Sequence, residues 1–449
     1  MGNSRNRYSN VRNAKKVKKQ KKLISMLLII MGVILLIFAG TMLAKNKEET
    51  IPVDASLEQK NESEIATENN GEEKNNKEEN NMLPPTPVDT KIKITAIGDV
   101  MCHNTQFQDA YNKEEKDYDF NYVFESVKKY TRLADITIGN LETTFAGEER
   151  GYTGYPTFNT PETLGNALQN MGVDILTTAN NHSLDKGYTG LESTLDKLDA
   201  INMSHTGTAR SEEERNKILI KSVKGAQIAF LNYTYGTNGI PVPTDKKYCI
   251  NLIDKDLMKA DIEKAKEQKA DIIIVSMHWG QEYQTTPNAE QKNLEKFLFE
   301  NGVDIILGSH PHVLQPLEEK TITTLDGEEK NVFVAYSLGN FISGQTAKNT
   351  NLSIILNIEL TKSVVSGKVS ITKIGYRPIY MLNKGNNVTH RFAILDIYDT
   401  IANYDNEVAD AVNKATYDKV KQALKDIHKI IGDKYDEEKV KEDDMLIIE

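Results

Sequence analysis

The chain has 449 residues, 39% of them hydrophobic and 27% charged, enough apolar matter for one large core plus appendages, which excludes a wholly disordered chain and a multi-span membrane protein. Two cysteines, Cys102 and Cys249, exclude a disulfide scaffold and any cysteine-based zinc cluster. The net charge of −10 is divided: residues 1–22 carry nine Lys or Arg and no acid, leaving −19 for the rest, and so acidic a bulk argues against a nucleic-acid partner.

Leu23 to Ala44 is free of charge, and its 22 residues match the roughly 20 that cross a bilayer core as a helix. Lys15, Lys16, Lys18, Lys19, Lys21 and Lys22 flank it on the amino side, so the amino terminus is expected in the cytoplasm and the bulk outside, as in a single-pass cell-membrane protein. The stretch is longer than the apolar core of a cleaved signal peptide, and no small-x-small site follows it. Residues 45–90 lack aromatics, are dominated by Glu, Asn and Lys, and end in Leu83-Pro84-Pro85-Thr86-Pro87, the composition of a disordered stalk. A folded domain is predicted over 91–400, followed by a helical segment over 401–449.

The first folded segment, Lys91 to Asp99, reads as a β-branched strand stopping at Gly98-Asp99. Four later segments place an Asp before an apolar β-type run and a polar cluster after it: 134–142, 173–182, 270–280 and 303–312. Helices are expected before three of them. Pro161 to Asn170 has Thr160 as N-cap and Gly172 past its end, while Lys255 to Lys269 and Glu290 to Asn301 are charged amphipathic stretches. Helix, short turn and buried strand therefore recur, which by itself suggests a doubly wound α/β sheet. Ile218 to Tyr233 reads as a hairpin turning at Lys224-Gly225, Gly236 to Tyr248 as a loop bordering a pocket, and 331–381 as further strands. From Asp405, the apolar spacing of Val408, Val412, Ala415, Val420, Leu424, Ile427 and Ile431 marks amphipathic helix packed on the domain.

Ligands collect beyond the carboxyl ends of strands in α/β sheets. That rule gathers Asp99, Glu142, Asn181, His278, His310 and His312, with His182 beside them. The leading aspartates Asp135, Asp174, Asp271 and Asp304 are instead expected to serve turn or capping hydrogen bonds. Pro311 favours an extended residue before it, and alternation then presents His310 and His312 on one side, a geometry suited to a metal. Carboxylates, a carboxamide and imidazoles together suit Mn, Fe, Zn or Mg, and the set has room for two ions. His182 stands where it could protonate a leaving oxygen.

Six motifs in order, GDVM at 98–101, NLE at 140–142, ANNHSLDKG at 179–187, HWGQEY at 278–283, GSHPH at 308–312 and SLGNF at 337–341, resemble the CapA family of poly-gamma-glutamate capsule biosynthesis proteins. The domain of that family belongs with the calcineurin-like metallophosphoesterases. The resemblance runs from about Ile92 to Phe341. It implies a layered α/β fold of two packed β-sheets flanked by helices and preceded by one transmembrane helix. It also implies metal ligands at Asp99, Asn181, His278, His310 and His312, a bridging carboxylate at Glu142, an acid-type histidine at His182, and work with a membrane-bound capsule synthesis or export complex on an anionic polymer or phosphorylated substrate. Asn140, His103, Glu282 and Asn340 are candidate supporting residues. The chain departs from the metallophosphoesterase pattern at Met101, where a histidine is usual, and in reading NLE at the second motif. A non-catalytic accessory subunit and a general surface phosphoesterase are the alternatives.

Overall fold

The computed structural model describes residues 88–446; the predicted basic tail, transmembrane helix and nearly all of the stalk lie outside them. Among the described residues no helix is long and apolar enough to cross a membrane. In chain order the strands are β1 (Thr90–Val100), the short pair β2 (Tyr111–Asn112) and β3 (Asp117–Tyr118), β4 (Ile136–Leu141), β5 (Ile175–Thr177), β6 (Ser204–Thr206), β7 (Leu219–Val223) and β8 (Ala226–Thr234). They continue as β9 (Ile272–His278), β10 (Ile305–Ser309), β11 (Leu314–Thr323), β12 (Glu329–Leu338), β13 (Asn340–Ile342), β14 (Leu352–Lys362), β15 (Val369–Asn383) and β16 (Phe392–Asp396).

Two sheets form where helix–strand alternation alone suggested one. The first runs β16-β15-β14-β1-β4-β5-β6, with β13 also paired to β1, and the second runs β11-β12-β10-β9-β8-β7. Their facing sides share one apolar core that includes Ile92, Ile94, Ile138, Phe230, Ile274, Ile305, Phe333 and Leu356. The outer face of the first sheet packs Leu164, Leu168 and Leu198 from its helices, and that of the second packs Met258, Ile262, Leu294 and Leu298. Strands buried on both faces read as continuous apolar runs, which is why β9 and β10 stood out in the sequence.

Helix limits differ modestly from expectation. The helix predicted from Pro161 begins at Thr163 after a turn, with Glu162 rather than Thr160 at its N-cap. The next two span Lys255–Glu267 and Ala289–Glu300, capped by Asp254 and Asn288, whose side chains accept from the amides of Leu257 and Gln291. The amphipathic helix predicted from Asp405 starts only at Lys414, after turns and irregular backbone over 406–413 in which Val408 is exposed. Its Val420, Ala423, Ile427 and Ile431 enter the inter-sheet core; a last helix follows at Glu437–Leu446. The hairpin joins β7 to β8 through Lys224 and Gly225, both at positive φ, the left-handed pair that matches strand twist.

Each leading aspartate accepts a hydrogen bond from the backbone of a neighbouring strand: Lys93 N to Asp135, Thr137 N to Asp174, Gln227 N to Asp271 and Ile273 N to Asp304, at 2.7–2.9 Å. The carboxylate thus ties adjacent strands at the edge remote from the polar clusters. Asp304 also pairs with Lys330 at 2.8 Å. Asp304→Ala is expected to cost about 1–3 kcal/mol, the price of a buried amide left unpaired, with cation binding unchanged; urea unfolding beside a metal titration checks both.

Candidate metal centre

Parallel pairing aligns the strand ends that carry the clusters. β1 runs parallel to β4 with Asp99 opposite Asn140, β4 parallel to β5, and β9 parallel to both β8 and β10 with Ser309 opposite His278. Gly98 permits the tightest of these approaches, since a Cβ there would lie 2.0 Å from the Gly339 carbonyl oxygen; the Asp99 amide donates to that same oxygen at 2.9 Å.

Asp99, Glu142, Asn181, His278, His310 and His312 meet there, all buried. Ligand-type atoms of Glu142, His278 and His310 lie within 4.8 Å of one another, as do those of Asp99, Glu142 and His312, so Glu142 is shared by two adjoining groups. Asn181 Oδ1 is 2.9 Å from His278 Nε2, and Glu142 Oε1 is 3.6 Å from His278 Nε2 and 3.8 Å from His312 Nε2. Two ligands about 2.1 Å from a common ion are about 3 to 3.5 Å apart, so these spacings suit coordination.

Surrounding groups orient the imidazoles. His312 Nδ1 faces two acceptors, Asp99 Oδ2 at 3.2 Å and Asn340 Oδ1 at 3.0 Å, which places a proton at Nδ1 and turns Nε2 toward Glu142. Ser309 Oγ sits 2.9 Å from His278 Nδ1. Asp99 accepts in addition from Asn140 Nδ2 at 2.9 Å and from the His310 amide at 3.3 Å; a carboxylate offers about four lone-pair directions, so a ligand position remains. The Trp279 indole turns away, donating to the Tyr336 carbonyl at 3.0 Å.

Both oxygens of Glu142 and Nδ1 of His310 are buried without a hydrogen-bond partner among the described residues. Buried polar groups are nearly always paired, and an oxygen and nitrogen donor set without thiolate fits a borderline or hard divalent cation. Burial, reinforced by Asp99, Glu282 and Asp185, holds Glu142 well above the usual carboxylate range. Burial and neighbouring imidazoles drive His278 well below its ordinary value and His310 to about 3.

His310 and His312 reach the pocket by a route other than the expected alternation. Both have positive φ, +94° and +58°, so they sit in a turn after β10 rather than on an extended segment. Such conformations are costly and concentrate at functional sites.

His182 lies beside the metal-type groups with Nδ1 2.7 Å from Asp185 Oδ2 and its ring edge-on to Phe158. Asn238 connects the two clusters: its Oδ1 accepts from Asn181 Nδ2 at 3.1 Å, and its Nδ2 stands 3.5 Å from His182 Nε2. The loop predicted over 236–248 therefore does border the pocket. Tyr235 adds a ring centred 4.5 Å from that of His310.

Of the supporting candidates, Asn140 holds Asp99, Asn340 holds His312, and Glu282 has an oxygen within 4.8 Å of ligand nitrogens on His310 and His312. His103 falls in none of the ligand groups. Its Nδ1 accepts from the Gly344 amide at 3.1 Å and its ring packs edge-on against Phe158, while burial pulls it down to about 4. Met101 is buried with its sulfur 3.9 Å from Ser343 Oγ. Sequence reasoning missed Asp185, Asn238 and Ser309. Asp185, three residues past His182 in the ANNHSLDKG motif, and Ser309, inside GSHPH, carried a legible signal, and Asn238 lies in the loop expected to border the site, but its partners become recognisable only through contacts across the fold.

Fold and site together define a two-sheet α/β protein with a histidine- and carboxylate-lined pocket suited to divalent cations. A model of the family described as "Bacterial capsule synthesis protein PGA_cap" matches residues 93–345, and the chain belongs to that family. It is 28% identical over 277 residues to the capsule biosynthesis protein CapA of Bacillus anthracis, covering 60% of this chain and 64% of that protein. It is 30% identical over 265 residues to the PGA biosynthesis protein CapA of Bacillus subtilis (strain 168), covering 56% and 64%. The chain thus spans just under two thirds of these curated relatives. Among solved structures, the calcineurin-like phosphoesterase YfkN from Bacillus subtilis aligns with a TM-score of 0.39 at 15% identity, over 74% of this chain and all of that one.

Proposed function

We propose that this chain is a membrane-anchored, extracytoplasmic capsule biosynthesis protein, serving poly-gamma-glutamate or a related surface polymer, and that its pocket is a dinuclear phosphoesterase-type centre. The observation that carries this reading is the convergence of unpartnered Glu142 and His310 with Asp99, Asn181, His278 and His312. Those six residues would hold the cations, with Glu142 shared. When bound, such cations supply Lewis acidity and activate water at neutral pH.

The chain's own groups do the rest. Asp185 fixes His182 through Nδ1, so Nε2 is the atom that passes a proton to a departing oxygen. Asn238 holds the Asn181 amide nitrogen, leaving Asn181 Oδ1 aimed at the His278 side. The uncharged stretch 23–44 would keep this pocket at the outer membrane face, where nascent polymer or a lipid-linked phosphate emerges.

A second reading, a polymer-holding accessory subunit without turnover, is favoured by Met101, which withholds a ligand from the Asp99 side. The full chain, purified in detergent and dialysed against Mn²⁺ or Zn²⁺, separates the two. Metal-dependent hydrolysis of a phosphomonoester or phosphodiester is expected, falling about 100-fold in Asp99→Ala as ligand support is lost. Bound metal without hydrolysis, in a protein still needed for polymer assembly in cells, establishes the accessory role; a chain that binds no metal defeats the metal-centre reading.

A further inference from the structure

We propose that Glu282 is a further cation ligand at this site, completing a donor group with His310 and His312. The inference rests on the metal-centre reading above. A Glu282 carboxylate oxygen, a His310 nitrogen and a His312 nitrogen all lie within 4.8 Å of one another. With Nδ1 of His312 committed to Asp99 and Asn340, the nitrogen of that ring left for a cation is Nε2.

Glu282 is exposed, and an exposed glutamate is ordinarily a solvated surface charge. Its backbone argues otherwise. The turn that carries it enters through Gly280 at φ +86° and leaves through Tyr283 at φ +65°. The Tyr283 amide donates to the Pro311 carbonyl at 2.8 Å, fastening the turn onto the His310-Pro311-His312 segment itself. Gln315, fully buried, donates to the carbonyls of Gln284 at 2.8 Å and Thr286 at 3.3 Å, and accepts from Gln291 at 2.8 Å. The Tyr283 ring lies 6.2 Å from that of His312. Glu282 is therefore held over the histidine pair by a fixed turn.

The test is Mn²⁺ binding to the full chain in detergent, by equilibrium dialysis with metal analysis, for the parent, Glu282→Gln and Glu282→Ala. Both variants are expected to bind Mn²⁺ at least about 10-fold more weakly, with metal-free thermal unfolding unchanged because the side chain is exposed. The deficit should persist at about 1 M salt, where the Debye length is about 3 Å and a merely distant charge is screened. Unchanged affinity in both variants, or a deficit that salt abolishes, overturns the assignment of Glu282 alone. A parent that binds neither Mn²⁺ nor Zn²⁺ overturns the metal centre itself and this inference with it.

Discussion

Glu142→Gln should stabilise the metal-free protein and abolish tight cation binding. In the parent both carboxylate oxygens are buried without a hydrogen-bond partner among the described residues, and ionising a carboxylate in such a site is costly, which is what holds Glu142 well above the usual carboxylate range. The carboxamide is nearly isosteric and neutral, so metal-free stability should rise by about 1–3 kcal/mol. The same change removes the carboxylate common to both ligand groups, so the stabilisation that added Mn²⁺ or Zn²⁺ gives the parent, about 2.7 kcal/mol at 100 times Kd, should vanish. Thermal unfolding with and without metal reads both effects. If the parent gains no stability from either ion while Gln leaves it unchanged, Glu142 is simply a structural buried acid.

His182→Ala should leave metal content intact and lower kcat for a poor leaving group by about 10²- to 10⁴-fold, the usual worth of a placed proton donor. His182 belongs to none of the ligand groups; its ring is fixed by Asp185 on one side and Phe158 on another. Asp185→Asn should produce a smaller loss, because the imidazole keeps its place but loses the acceptor that settles its tautomer. Leaving-group dependence discriminates: activated aryl esters need little protonation and should be hydrolysed almost normally by both variants, whereas alkyl esters should not. Equal losses on both substrates would assign His182 to ground-state structure instead of proton transfer.

Much of the buried cluster was legible because it obeys a one-dimensional rule. Parallel strands deliver side chains at a common edge, so Asp99, Glu142, Asn181, His278 and His310 could be placed as polar residues at the carboxyl ends of apolar runs. Asp135, Asp174, Asp271 and Asp304, expected in turn or capping roles, lie at the opposite ends of those strands and bond backbone amides of neighbouring strands. Residues whose role depends on a partner distant in sequence were not legible. Asn238 acts through Asn181 and His182, 57 and 56 positions away. His103, adjacent to the first motif, is turned by the Gly344 amide and the Phe158 ring into a packing role that proximity in sequence did not reveal.

The division between the two sources of information has a physical basis. Local sequence set strand and helix identity, capping at Asp254 and Asn288, the Lys224-Gly225 turn, and the family to which residues 93–345 belong, because these depend on neighbours within a few positions. Tertiary structure decided which strands enter each of the two facing sheets, that His310 and His312 arrive through left-handed backbone, and that Glu142 has no hydrogen-bond partner among the described residues. Hydrophobic periodicity reports that a face is buried but not which face it meets, and desolvation of a carboxylate exists only once the surfaces enclosing it have closed.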